Sequence, residues 1–156
     1  MRKLLEILAL ASLITLLYLT GTALFGPHVL PSRIAVHFGP TGEPDAWGTP
    51  RMLLLLPIIA IGLYALITAV SRRPAVFNYP ARITPQNRRF LQEIALNMIA
   101  FLKFEVITLF TLIQYFSIQT ARLQQNVLPP FLMLTALVVI FATMGLHIAA
   151  MRRTAR

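Results

Sequence analysis

Four apolar stretches, each long enough to reach across a bilayer, alternate along this chain with segments in which polar residues, glycine and proline collect. Leu4 to Phe25 is broken only by Glu6, Ser12 and small threonines, and Met52 to Val70 is almost purely aliphatic. A third run, Ile94 to about Ile118, continues from a polar lead-in near Phe90, and a fourth, Phe131 to Met151, follows Pro129-Pro130. A crossing helix needs roughly 20 apolar residues. The pattern therefore predicts helices over about 4–25, 52–70, 90–118 and 130–151.

The connections differ in character. Between Gly26 and Arg51, Gly26-Pro27, Pro31, Gly39-Pro40, Gly42, Pro44 and Gly48 argue for turns rather than a long helix. Within it, Arg33 to Phe38 alternates as one short strand would, with Ile34, Val36 and Phe38 on one face and Arg33 and His37 on the other. Pro40 to Asp45 reads as a tight turn, in which Gly42 takes positive φ and Asp45 hydrogen-bonds local backbone. Pro57, one turn inside the second crossing, should kink it. Ser71 to Arg89 is a basic, proline-punctuated loop in which Thr84 suits an N-cap and Pro85 the first helical position. Gln119 to Leu128 reads as a short polar connection.

Composition places the whole chain, 1–156, in one membrane domain. It is 57% hydrophobic and only 12% charged, whereas a soluble domain carries about 25% charged residues. The net charge of +9 would suit nucleic acid in a soluble protein, but no basic stripe with interleaved aromatics is present, so nucleic acid is not an expected partner. Basic residues beside apolar runs instead orient helices and contact anionic lipid. Arg2, Lys3, the five arginines of the middle loop (72, 73, 82, 88 and 89) and the three of the tail (152, 153 and 156) fall on one side, against Arg33, Arg51 and Arg122 on the other. The expectation is an all-α integral membrane fold, a four-transmembrane-helix bundle with both termini cytoplasmic and one structured extracytoplasmic loop, 26–51. Gly21-Thr22-Ala23 would suit signal-peptide cleavage, but the preceding apolar run exceeds the usual 7 to 15 residues, so retention is expected. Cysteine is absent, which excludes a disulfide framework and thiolate chemistry.

The outer loop holds the residue types that bind zinc or transfer protons: His37, Glu43 and Asp45, with His28 nearby. Their spacing matches no established metal motif, so neither a metal nor another cofactor is expected. Arg33, His37, Phe38, Glu43, Asp45 and Trp47 are instead candidates for a surface that takes a peptide or protein, Trp47 also serving as an interfacial anchor. In the third run, Glu93, Asn97, Lys103, Glu105 and Gln114 form a candidate intramembrane polar network. A charge at mid-membrane costs at least about 2.5 to 3.5 kcal/mol, so these groups should face the bundle or water. At 100° per residue, Lys103 and Glu105 stand about 200° apart and cannot pair along their own helix. Candidate partners are Glu6, Thr15, Tyr18 and Thr20 on the first helix, Tyr64 and Thr68 on the second, and Thr135, Thr143 and His147 on the fourth. Lys103 and Glu105 read as deeper than Glu6 and His147. The middle loop, with Phe77, Tyr79 and Phe90 beside its arginines, is a candidate dock for a cytoplasmic partner.

Several motifs carry a family resemblance. Leu30-Pro31-x-Arg33-Ile34-x-Val36-His37-Phe38, then Gly42-Glu43-Pro44-Asp45-x-Trp47-Gly48, then a leucine run ending at Pro57, resembles the N-terminal domain of the SdpI-like membrane proteins, itself of unknown function. Phe77-Asn78-Tyr79-Pro80 with Ile83-Thr84 and Gln86-Asn87 is similar to the stretch after the second helix in short members of that family. The resemblance covers roughly the first 90 residues and implies a bacterial plasma-membrane protein. The named member of the family is an immunity protein that protects against a secreted peptide toxin and signals its binding; it is longer and carries a further domain.

The leading expectation is thus a non-enzymatic multi-pass membrane protein that binds a peptide or protein through the outer loop. A small proton- or substrate-coupled transporter using Lys103 and Glu105 is the rival, and a metal-dependent membrane enzyme using the outer loop is the third reading. A homo-oligomer is compatible with so few helices.

Overall fold

The computed structural model describes residues 1–27 and 30–154; His28 and Arg156 lie outside them. Four helices form where the apolar runs predict them: α1 (Arg2–Phe25), α2 (Leu55–Ser71), α3 (Arg88–Leu123) and α4 (Leu132–Arg153). All four are long and apolar enough to cross a membrane, α2 together with a 3-10 turn, Pro50–Leu54, that leads into it. Large apolar side chains such as Ile14, Ile58, Leu134 and Phe141 point outward and stay exposed. That surface is costly in water and ordinary in lipid, where helices satisfy their own backbone polar groups.

The helices do not share one central core. α3 is the axis, and α1, α2 and α4 each pack on it. α1 runs parallel to α3, since Glu6, Ser12 and Thr20 meet Lys103, Thr108 and Gln114 in the same order. At mid-height Leu13, Leu16, Ala60 and Ile107 close the three-helix contact, whereas no part of the apolar stretch of α4 is fully buried. The expected bundle is better described as a three-helix unit with α4 laid against one side of α3.

α3 is longer than its apolar run. Its 36 residues span about 54 Å at 1.5 Å each, well beyond a hydrocarbon core of about 30 Å. The first three turns project past the start of α1 and pack Leu91 and Ala95 against Phe77, Tyr79 and Met151. At the other end the helix continues into the segment read as a polar connection and stops at Gln124, which adopts a left-handed conformation (φ 55°). Helix boundaries also move at the two prolines singled out above. Pro57 is the third residue of α2, in the first turn, where a missing N–H removes no intrahelical bond. Thr84 caps a turn rather than the helix: Thr84 N–H donates to Asn87 Oδ1 (2.8 Å), Asn87 N–H donates to Thr84 Oγ1 (3.3 Å), and α3 begins after Asn87.

The loop between α1 and α2 is a β-hairpin. The expected strand is β1 (Ile34–Phe38), and a second strand, β2 (Pro44–Gly48), pairs with it antiparallel. Pairing slips between Ala35 and His37 and again at Phe38. This irregularity breaks the strict alternation, so Ile34, Ala35 and Phe38 are buried and Val36 is only partly so. The turn closes through Gly39 N–H to Glu43 O (2.8 Å) and Gly42 N–H to Gly39 O (2.9 Å), with Gly42 at φ +82° as its sequence setting suggests. The hairpin tip rests on the α3–α4 connection: Asn126 Nδ2 donates to Gly42 O (2.9 Å), and a Cβ at Gly42 would come within 3.0 Å of Pro130 Cα.

Candidate functional site

A groove of about 240 Å³ lies where the hairpin meets the helices. β1 supplies one wall through Val36, His37 and Phe38, the 3-10 turn and the start of α2 another through Leu53 and Leu56, and α3 the floor through Gln114. The walls are mainly apolar because Ala35 and Phe38 pack on Leu128 and Phe116.

Gln114 is fully buried, and its orientation is fixed by chemistry. Its Nε2 donates to Leu53 O (2.9 Å) and to Thr20 Oγ1 (2.8 Å). The Leu53 carbonyl can only accept, and Thr20 uses its own proton on Leu16 O (2.8 Å). The amide nitrogen must therefore face both, which leaves Gln114 Oε1 buried with no donor among the described residues. An unpaired buried acceptor costs about 1–3 kcal/mol.

Lys103 occupies a second polar centre, nearer the end where the chain termini lie. It is wholly buried, and its Nζ donates to Glu6 Oε2 (2.6 Å) and Thr68 Oγ1 (3.0 Å) while standing 4.7 Å from the centre of the Tyr64 ring. Thr68 can accept because its proton goes to Tyr64 O (2.6 Å). The expected difference in depth between Lys103 and Glu6 is corrected by the overhang of α3, which brings the two to one level.

Glu105 points the other way, as the 200° separation requires. Thr143 Oγ1 on α4 donates to Glu105 Oε1 (2.5 Å), and Glu105 Oε2 is buried without a partner among the described residues. Glu105 also lines a cleft of about 260 Å³ between α3 and α4. Nearby, His147 bonds Thr143 O through Nδ1 (2.8 Å), and its ring lies 5.5 Å from that of Phe101.

The five polar residues of α3 are therefore not one network. Lys103, Glu105 and Gln114 head three separate contacts. Glu93 pairs with Arg89 on an exposed face (3.3 Å, i,i+4), and Asn97 makes no side-chain hydrogen bond among the described residues. Two interhelical contacts in the same region are not legible in the sequence: Ser12 with Thr108 (3.0 Å), and Thr111 Oγ1 to Ser12 O (3.0 Å). Isolated hydroxyls on an apolar helix carry too little pattern to reveal which neighbour they meet.

The outer-loop residues likewise divide. His37 and Phe38 line the groove, whereas Arg33 and Trp47 line a smaller recess against Thr120 and Gln124. Phe38 is mostly buried where it forms part of the groove wall. Asp45 takes His37 Nδ1 (2.5 Å) through its carboxylate instead of local backbone, and that pair is exposed. Glu43 stands exposed at the turn. Among the described residues no three His, Asp or Glu side chains converge as metal ligands would.

In the basic loop, Phe77 and Tyr79 pack inward, leaving Phe90 as the exposed aromatic. The Tyr79 hydroxyl donates to Pro74 O (2.6 Å), and burial raises its pKa above the usual phenol value.

No curated protein and no solved structure matches the chain. A family model described as "Domain of unknown function (DUF1648)" matches residues 8–61, so a DUF1648 domain spans most of α1, the hairpin and the first turns of α2.

Proposed function

We propose that this chain is a non-enzymatic membrane protein of the SdpI-like type that binds an extended, largely apolar peptide in the groove beside the hairpin. In this reading it sits in a bacterial plasma membrane with both termini in the cytoplasm and the hairpin outside, the side that the arginine count assigns to it. One observation carries the reading: the buried Gln114 Oε1 lacks a donor among the described residues, at the floor of a mainly apolar groove. A peptide offers that combination, with main-chain N–H groups as donors and apolar side chains for the walls. Lys103, already bonded to Glu6 and Thr68 and set against Tyr64, favours a structural role over that of a carrier. The exposed arginines and Phe90 of the basic loop are the complementary surface for an inner partner.

The test has two parts. Expression in a susceptible bacterium challenged with secreted apolar peptides should protect it. Purified protein in nanodiscs should show saturable quenching or a blue shift of Trp47, the sole tryptophan, which pairs with Ala35 of the groove wall. Gln114→Leu should weaken that response. Neither protection nor a fluorescence change across a panel of such peptides would remove the basis for the reading.

A further inference from the structure

We propose that the cleft between α3 and α4 is a second site, independent of the hairpin groove, that takes a membrane-partitioned alkyl amine with its ammonium on Glu105. Three observations meet there. Thr143 serves one oxygen of the Glu105 carboxylate, and the other is buried with no donor. Neither basic side chain of the neighbouring polar contacts is turned to answer it: Lys103 is directed to Glu6 and Thr68, and His147 uses Nδ1 on Thr143 O. The adjoining cleft is walled by Leu109, Leu112, Val139 and Ile140.

The chemistry of the occupant follows from that wall and that charge. A carboxyl oxygen held among hydrocarbon without a donor is costly, and an amine offers donors together with the charge that balances a carboxylate. An ammonium supplies the charge and up to three donors. The remaining space, about 260 Å³, equals roughly nine water-sized groups at about 30 Å³ each, which suits a stretch of alkyl chain and not a folded partner. Entry is lateral, from the lipid. α4 packs on α3 and buries none of its apolar stretch fully, so the cleft is bounded on one side by a single helix. Glu105 already forms part of its wall, and a rotation about its own side chain swings the free oxygen into the space.

The probe is dodecylamine added to the purified protein in zwitterionic nanodiscs, with dodecanol and dodecyltrimethylammonium as controls lacking the charge and the N–H donors respectively. Dodecylamine at about a hundred times its dissociation constant should raise Tm by roughly 5 °C, and the two controls should do much less. Glu105→Gln should abolish the shift while leaving the unliganded protein folded, because it removes the acid and keeps the shape of the side chain. Ala136→Phe, which enlarges a side chain of the cleft lining and keeps Glu105, should abolish it too; if that variant does not fold, the Glu105→Gln comparison decides alone. A shift that persists in Glu105→Gln, equal shifts from dodecanol and dodecylamine, or no shift in the parent protein each overturns the proposal. None of these outcomes bears on peptide binding at the hairpin groove.

Discussion

Lys103 on α3 and Glu6 on α1, 97 positions apart in the chain, meet at 2.6 Å with the lysine wholly buried and the glutamate 36% exposed. The pair is a tether between two parallel helices, and Thr68 on α2 extends it to a third. Removing one partner from such a pair leaves the other charge buried. A fully buried pair loses roughly 3–5 kcal/mol in that way; the exposure of Glu6 lowers the expected loss for Glu6→Gln to about 2 kcal/mol. The double replacement Glu6→Leu with Lys103→Leu should recover most of it. Thermal unfolding in a mild detergent checks both, and a Glu6→Gln protein as stable as the parent would show that the pair contributes nothing.

Gln114 offers a test of orientation. Gln114→Leu forfeits the bonds to Thr20 and Leu53 but also removes the unpaired oxygen, so the net loss should be about 1 kcal/mol. Gln114→Glu sets an oxygen against the Leu53 carbonyl and should cost at least about twice as much. Equal unfolding midpoints for the two variants would contradict the assigned amide orientation.

Gly42 joins backbone conformation to tertiary contact. At φ +82°, with Pro130 Cα 3.0 Å from the point a Cβ would occupy, Gly42→Ala should destabilise the hairpin by about 1–2 kcal/mol. Hydrogen exchange should quicken across residues 34–48 while the helices keep their protection. Unchanged exchange there would mean the hairpin is not anchored at its tip.

Tyr79 predicts an alkaline limit. A raised phenol pKa means that the folded chain favours the neutral ring. Its contribution is complete below the ordinary phenol value of about 10 and is lost as pH rises through the raised one. Tyr79→Phe should lower stability by about 1 kcal/mol at neutral pH through loss of the bond to Pro74 O and flatten the fall above about pH 10. A parent and variant with parallel alkaline profiles would remove Tyr79 as its source.

The amino-acid sequence by itself determined the number of helices long and apolar enough to span a membrane, their approximate ends and the positive φ of Gly42. Each depends on local quantities: apolar run length against bilayer thickness, and the steric freedom of a residue without Cβ. It also narrowed the partners of Lys103 and Glu105, because a membrane helix of this composition offers few polar groups. Tertiary structure decided which partner each one met. Helical periodicity fixes the angle of a side chain about its own axis, but not the relative height of two helices. The overhang of α3 put Lys103 opposite Glu6 and Gln114 opposite Thr20. The second strand and the division of the hairpin residues between two recesses were hidden for a related reason: Pro44 to Gly48 has no alternation of its own and becomes a strand by pairing with β1.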